Sequence, residues 1–347
     1  MGLIWFCLVA YMLAAYVVLD GFDIGAGILH LVAARDSSER ALVLQSIGPV
    51  WDGNEVWLIA AGGTLFFAFP ILYASSFSGF YLPLTIVLWL LMLRGVSIEL
   101  RGQLKIRVWR DFFDGVFACS SGILAIFFGA ALANVIRGVP LGPDGYFFAP
   151  LWTDWRVGAY PGILDWYTVI GGLLAFFALA MHGGLYLAVK NQESFQTRAR
   201  IISQRLWPAV VVLTAIGLPA TVVARHDSLD NYLRHPIAFI IPLLVIFSLA
   251  QVILKSRKRL DLAAFLFSCC YLAAMLIGAA FGLCPVVLPS SNDPERSLTV
   301  ANAIAGHHGL SVGLIWWSFG LLLATGYFVL IYRKFRGKVS AESPGYH

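Results

Sequence analysis

The sequence predicts an all-α membrane protein that crosses the bilayer nine times, and three observations lead to that fold class. Of the 347 residues, 59% are hydrophobic and only 12% are charged, whereas soluble proteins are closer to half apolar and a quarter charged. Nine apolar runs have roughly the 20 residues that a helix needs to span hydrocarbon. Finally, Lys and Arg are abundant in every second connection between these runs, as in multi-pass proteins.

The nine predicted spans follow the apolar runs along the chain. The first basic residue is Arg35, so no positively charged segment precedes the first run. We therefore predict that this run is retained as a span and is not a cleaved signal peptide. The spans are predicted at residues 3–31, 50–73, 77–100, 112–136, 163–189, 206–223, 237–254, 262–283 and 310–332.

The distribution of basic residues predicts the orientation. Of the 24 Lys and Arg residues, 18 lie after spans 1, 3, 5, 7 and 9, five lie in the other connections, and Arg94 lies inside span 3. The positive-inside rule then places the N-terminus outside and the C-terminus in the cytoplasm. These basic residues are scattered between apolar runs, which argues against a nucleic-acid-binding surface. No linker separates a soluble domain, so residues 1–347 are predicted to form a single integral membrane domain.

Charged side chains inside the predicted spans are the first functional indication, because a charge near the bilayer centre costs ~3 kcal/mol or more. Span 1 carries Asp20 and Asp23, and Gly27 and His30 continue the same helical stripe. Since span 1 runs inward, this stripe is predicted in the cytoplasmic half of the membrane.

Further charged residues are predicted at the same level from three other spans. They are Asp52 and Glu55 at the start of span 2, Arg94 and Glu99 near the end of span 3, and His182 in span 5. Burial and neighbouring charges can tune such groups to hold protons, so together with Asp20 and Asp23 they predict a proton pathway from the cytoplasm. Two structural alternatives remain open: Arg94 only neutralises one or two carboxylates, or Asp52 only caps a helix.

Sites for haem, metal or covalent catalysis are not predicted in this chain. Of the seven histidines only His182 lies well inside a span, whereas a haem needs axial ligands that face one cavity. The five cysteines lack metal-ligand spacing. No phosphate loop or nucleophilic triad is present.

Two segments resemble a known family. Residues 20–25 read DGFDIG and residues 48–58 read GPVWDGNEVWL; together they resemble subunit II of the cytochrome bd quinol oxidases. The FSGFY segment at 77–81 and the stretch from Arg94 to Arg101 fit the same family. The similarity is densest in the first hundred residues, and the nine-span layout extends it over the rest of the chain.

The resemblance implies a subunit of an enzyme that reduces O2 to water with electrons from quinol and generates a proton motive force. It implies that haems b and d and the quinol site belong to a partner, subunit I, and that this chain binds no haem. The implied fold is two four-helix bundles, at 1–136 and 163–283, with a ninth helix at 310–333, in a heterodimer with subunit I. A structural quinone or lipid bound to this chain, and small accessory subunits, are left open. The implied location is a bacterial or archaeal plasma membrane.

For individual residues, the resemblance implies that Asp52 lines a proton channel at the subunit interface, with Asp20 and Asp23 nearby. Trp57 falls where the family is thought to bound a route for oxygen. At Glu55 the sequence departs from family members that carry a neutral amide there, so the family pattern does not assign Glu55 a role.

Two other functions are compatible with intramembrane acids. A proton-coupled secondary transporter would have them, but transporters usually place polar groups at the midplane on broken helices. An assembly or scaffold protein could use them only to hold helices together.

Overall fold

The chain is almost entirely helical in the computed structural model, which describes residues 1–339. Residues 340–347, the end of the predicted domain 1–347, lie outside the described residues. In chain order the helices are α1 (Gly2–Ala33), α2 (Ser37–Ile47), α3 (Trp51–Ala68), α4 (Pro70–Gly79), α5 (Tyr81–Leu100), α6 (Arg107–Arg137), α7 (Trp166–Lys190), α8 (Glu193–Ala224), α9 (Asp230–Arg234), α10 (Ile240–Arg257), α11 (Asp261–Leu283) and α12 (His307–Lys334).

Eight helical segments within residues 1–339 are long and apolar enough to cross a membrane. They are α1, α5, α6, α7, α8, α11, α12 and α10 together with the short 3-10 turn before it, Pro236–Phe239. They match the predicted first and third to ninth spans in order, which confirms a multi-pass membrane protein. The count of nine stays a prediction, because the second predicted span is not among these eight.

That second span, predicted as one helix over 50–73, is interrupted. α3 ends at Ala68 and α4 begins at Pro70, while Phe69 between them has φ −132° and ψ 64°. Proline lacks the N–H that would continue the helical ladder, and its ring clashes with the carbonyl four residues earlier. Proline also disfavours helical geometry in the residue before it. The expectation of a continuous helix was therefore wrong at Phe69.

Two segments predicted as cytoplasmic connections are helical instead. α2 occupies most of the connection after α1, and α8 begins at Glu193, well before the predicted residue 206. The early part of α8 is held by ion pairs: Arg198 lies 2.6 Å from Glu39 of α2, and Arg200 lies 2.7 Å from Asp261 of α11. Hydropathy alone misses such a helix, because polar partners replace lipid along it.

The centre of the fold is the crossing of α1 and α7. A Cβ atom built on Gly25 would overlap the carbonyl of Leu179, and one on Gly183 would overlap the backbone of Gly25. Only glycine permits this approach, as in other close membrane helix pairs. In its most apolar stretch, 67% of the residues of α7 are buried, against none in α12. α12 therefore lies at the periphery.

The two long connections between α6 and α7 and between α11 and α12 pack together over one end of the helices. Strands β1 (Val286–Leu288) and β2 (Leu298–Thr299) pair antiparallel, and Val139 bridges to Ser290 across the two connections. Buried Arg137 pairs with Asp165, the N-cap of α7, and so ties the end of α6 to the start of α7.

Candidate functional site

The polar stripe on α1 is buried inside the protein. Asp20 and His30 have no exposed surface and Asp23 is 1% exposed. A Cβ atom on Gly27, between them, would overlap the Ser121 side chain of α6. The stripe therefore faces other helices, and each of its polar residues meets a different partner.

Asp20 meets the intramembrane arginine. Nη2 of Arg94, from α5, lies 2.7 Å from Oδ1 of Asp20 and 3.6 Å from Oε1 of Glu55, from α3. Arg94 is fully buried, and the Glu55 side chain retains 20% exposure. Tyr16, one turn before Asp20, contributes a buried hydroxyl. We call Tyr16, Asp20, Glu55 and Arg94 the Arg94 group.

The Arg94 group is poorly satisfied by hydrogen bonds. The Nε and Nη1 atoms of Arg94 and the hydroxyl of Tyr16 are buried without a hydrogen-bond partner among the described residues. The Arg94–Asp20 contact is close, yet it is not aligned as a hydrogen bond. Buried polar atoms of this kind normally bind internal water. The group thus combines two carboxylates with one guanidinium and has several free hydrogen-bonding positions.

Asp23 is held by a short chain of side chains that sequence reasoning missed. Nδ2 of Asn54 donates to Oδ2 of Asp23 at 2.7 Å, and the Tyr332 hydroxyl donates to Oδ1 of Asn54 at 2.9 Å. Asn54 also donates to the carbonyl of Leu19. The missed signal is the position of Asn54 between Asp52 and Glu55, which places it on the same turn of α3.

Asp52 lies at the start of α3 and is exposed in this chain. Its side chain makes no hydrogen bond or ion pair with any residue of the described range 1–339, and it stands three residues before Glu55. Glu99 is also exposed and does not contact Arg94, which pairs with Asp20 and Glu55 instead. Trp57 is 8% exposed and packs between Tyr11 of α1 and Phe328 of α12.

His182 is separate from these carboxylates. Its Nδ1 lies 2.7 Å from the Ser268 hydroxyl, its Nε2 lies 3.0 Å from the carbonyl of Val18, and its ring stacks on Phe265. The structure thus brings Asp20, Glu55 and Arg94 together, places Asp23 beside them on α1, and leaves His182 on the α7 and α11 side.

A second buried charge cluster was not anticipated, although its His30 belongs to the predicted stripe on α1. At its centre is Asp114 of α6, which is 1% exposed. Oδ1 of Asp114 lies 2.5 Å from Nε2 of His30 and 2.5 Å from Nε of Arg101. Its other oxygen, Oδ2, lies 3.1 Å from Nη1 of Arg40. Asp114 falls two residues inside the predicted span 112–136, which is the signal that should have drawn attention to it. We call His30, Arg40, Arg101 and Asp114 the Asp114 group.

Metal coordination is not supported by the described residues, since no group of three or more His, Cys, Asp or Glu side chains lies close enough to hold an ion. What the Arg94 group can do chemically is bind and exchange protons through its carboxylates, which lie against a fixed positive charge. Asp52 is the exposed carboxylate nearest to it along α3.

Comparisons with known proteins support the resemblance. The model of the family described as cytochrome bd terminal oxidase subunit II matches residues 1–335. The chain is 32% identical to the probable cytochrome oxidase subunit 2 of Haemophilus influenzae, with 98% of this chain and 95% of the relative covered. It is 30% identical to the cytochrome bd-I ubiquinol oxidase subunit 2 of Escherichia coli, with 98% and 95% covered. For the cytochrome bd ubiquinol oxidase subunit 2 of Bacillus subtilis the identity is 32%, with 98% and 97% covered.

The fold is similar to a solved structure as well. A chain of the bd oxidase from Geobacillus thermodenitrificans superposes with a TM-score of 0.73 over 96% of this chain and 98% of that chain, at 15% sequence identity. At this identity the comparison supports the fold.

Proposed function

Because this chain belongs to the cytochrome bd terminal oxidase subunit II family, we propose that it is the haem-free subunit of a quinol:O2 oxidoreductase. In this proposal it pairs with a haem-bearing subunit I and conducts protons from the cytoplasm for the reduction of O2 to water. The family as such is a subunit of an oxidoreductase complex in bacterial membranes.

The observation that carries the proton role is the Arg94 group. A fully buried arginine faces two carboxylates, and its remaining N–H donors and the Tyr16 hydroxyl lack protein partners. Chains of water and carboxylates move protons through a membrane protein, and intramembrane acids of this kind commonly belong to proton relays. Asp52 supplies the exposed end, Glu55 follows one turn later, and Arg94 and Asp20 lie deepest. Asp23, Glu99 and His182 remain proposed members of the pathway.

The haem-free role is supported by the bonding of His182. Both of its ring nitrogens are engaged, with Ser268 and the carbonyl of Val18. A haem iron needs a free imidazole nitrogen, so the residues around His182 do not fit a haem. We propose that haems b and d lie in subunit I, where quinol and O2 react.

The proposed topology has nine spans, with α3 and α4 jointly forming the second. It places the N-terminus outside and the C-terminus in the cytoplasm, with four-helix bundles over 1–136 and 163–283 and a ninth helix over 310–333. α12 exposes an apolar surface that includes Trp316 at 72% and Leu323 at 77%. Such a surface suits lipid or a partner subunit, and Trp57 beside α12 is proposed to bound a route for oxygen.

The proton role is tested by Asp52→Asn in the complete complex, with Glu193→Gln as a matched control. Glu193 is likewise exposed, at the start of α8 on the same predicted side of the membrane. We expect Asp52→Asn to lower quinol-driven O2 consumption roughly tenfold or more, since a positioned proton-transfer group contributes about 10²–10⁴-fold. Haem content should stay unchanged, and Glu193→Gln should retain full activity.

Normal turnover and normal proton uptake in Asp52→Asn would reject the channel but leave the pairing with subunit I standing. The pairing is tested separately by purification in mild detergent. Isolation of this chain as a stable, haem-free unit that still moves protons would favour the transporter instead.

A further inference from the structure

A polar cavity of about 360 Å³ opens where α1 ends, α2 begins and α6 begins. It lies on the side of the molecule that the basic residues predict to be cytoplasmic. Its walls carry the acidic residues Asp36 and Asp111 and a set of five basic side chains: Arg35, Arg40, Lys105, Arg107 and Arg110. We call it the basic cavity.

The two acids of the basic cavity are already occupied. Asp36 is the N-cap of α2 and accepts hydrogen bonds from the backbone N–H groups of Ser38 and Glu39. Asp111 pairs with Arg40 at 3.1 Å and with Arg107 at 3.4 Å. With five basic side chains against two carboxylates, the cavity keeps an excess of positive charge.

Three cations of the cavity remain without an acidic partner within the described part of the chain. They are Arg35, Lys105 and Arg110, and the Nε atom of Arg110 is buried without a hydrogen-bond partner. A buried guanidinium nitrogen is costly to leave unpaired. Three unpaired cations around one cavity attract an anion, and they also disfavour the approach of protons at this place.

Exposed apolar side chains stand in the same segment as these cations. Ile106 is 58% exposed, Val108 78% and Phe112 62%, and Leu104 beside Lys105 is 42% exposed. They alternate with Lys105, Arg107 and Arg110. These apolar side chains do not line the cavity, but they are next to its cations in the chain. Exposed apolar surface beside a cationic cavity suits an amphiphile better than a soluble anion.

We propose that the basic cavity binds the phosphodiester headgroup of an anionic phospholipid, whose acyl chains lie along Ile106, Val108 and Phe112. Basic pockets between membrane helices on the cytoplasmic side recognise anionic headgroups in this way. Arg40 lines the cavity and also pairs with Asp114, so a bound headgroup would rest against the Asp114 group. This inference does not depend on the proton pathway.

The test is a lipid titration of the complete complex, delipidated in detergent and followed by native mass spectrometry. Phosphatidylglycerol is the probe and phosphatidylcholine the neutral control lipid. We expect Lys105→Gln/Arg110→Gln to weaken phosphatidylglycerol binding about 30-fold, which corresponds to about 2 kcal/mol at 1.4 kcal/mol per tenfold. The matched control Arg257→Gln/Lys258→Gln removes two exposed charges from the same predicted side, at the end of α10, and should bind as the unaltered protein does.

Lys105→Gln alone covers the case in which the double variant does not assemble, because Lys105 lies in the exposed connection between α5 and α6. It should weaken binding about fivefold, and Arg110→Lys should restore most of what Arg110→Gln loses. Equal losses in both double variants, or no loss in either, would overturn the proposal. Displacement of phosphatidylglycerol by inorganic phosphate at the same concentration would show a soluble-anion site instead and would also overturn it.

Discussion

The Arg94 group and the Asp114 group are two buried charge clusters with opposite composition, and each includes side chains of α1. The first surrounds one cation with two carboxylates; the second surrounds one carboxylate with Arg101, Arg40 and His30. Both oxygens of Asp114 accept close contacts from basic side chains, while donors of Arg94 lack partners. The Asp114 carboxylate is engaged on both oxygens, although His30 Nδ1 and Arg40 Nε of its group are buried without a partner. An anion held in this way by basic side chains fixes its helices in place, whereas the unpaired donors of the buried Arg94 keep positions for water and protons. The difference teaches that burial of charge by itself does not identify a proton pathway.

The largest expected effect is on stability, from Asp114→Asn. The change leaves the buried Arg101 and the buried His30 without their anion, and breaking a buried ion pair from one side costs about 3–5 kcal/mol. We expect a large fall in the midpoint of thermal unfolding and in the yield of assembled complex. Asp111→Asn is the matched control, because that carboxylate is 51% exposed and should change stability by less than about 1 kcal/mol. Similar losses in both variants would mean that burial of the Asp114 ion pairs adds nothing to stability.

An intermediate effect is expected at Gly27, which lies on α1 between the clusters. In Gly27→Ala the new Cβ would overlap Ser121 and push α1 from α6, at a cost of about 1–3 kcal/mol. His30 is three residues away, so the Asp114 group should be disturbed more than the Arg94 group. Ser121→Gly in the same chain should recover part of the lost thermal stability. A failure to recover any would mean that the cost arises elsewhere than at the α1–α6 contact.

Asp20→Asn should act on turnover more than on stability, in contrast to Asp114→Asn. Glu55 still faces Arg94 in this variant, which reduces the penalty of the unpaired guanidinium. We expect quinol-driven O2 consumption to fall roughly tenfold, equivalent to about 1.4 kcal/mol of barrier, at unchanged haem content. Asp20→Glu restores the charge and should recover activity in part. If Asp20→Asn unfolded the complex as readily as Asp114→Asn and kept its specific activity, the Arg94 group would be structural only.

The sequence predicted these clusters unequally. Asp20, Glu55 and Arg94 could be found because each is a charge inside an apolar run, where any charge is conspicuous. Asp114 and Arg101 lie at the ends of runs, where charges are common, so hydropathy does not separate them from surface residues. The remaining cation, Arg40, reaches Asp114 from α2, a helix that hydropathy does not reveal. The eight long helices were predictable because lipid imposes their length and composition. Hydropathy does not reveal the break at Phe69, which arises from the backbone chemistry of Pro70. It also does not reveal the early start of α8, which depends on ion pairs with other helices.

The smallest expected effect concerns how α2 is held beside the Asp114 group. Glu39 accepts from Arg198 at 2.6 Å and from the backbone N–H of Arg35 at 2.7 Å. Burial raises the pKa of Glu39, but these hydrogen bonds outweigh burial and the pKa is lowered overall. Since the folded pKa lies below the unfolded value of about 4.3, the stabilisation is present at neutral pH and is lost as the pH falls through the folded pKa.

We therefore expect Glu39→Gln to lower the thermal midpoint slightly at pH 7. The loss in free energy of unfolding should be less than about 1 kcal/mol, because solvent screens this ion pair. Below about pH 4.3 the difference between the variant and the unaltered protein should shrink. A difference that stays constant over this range would assign the contact of Glu39 to packing, since its charge would then contribute nothing. In that case the ion pairs that hold α2 through charge, within the described residues, would be those of Arg40 with Asp114 and Asp111. Asp114→Asn would then be expected to detach α2 from α6 as well as to lower the stability of the whole chain.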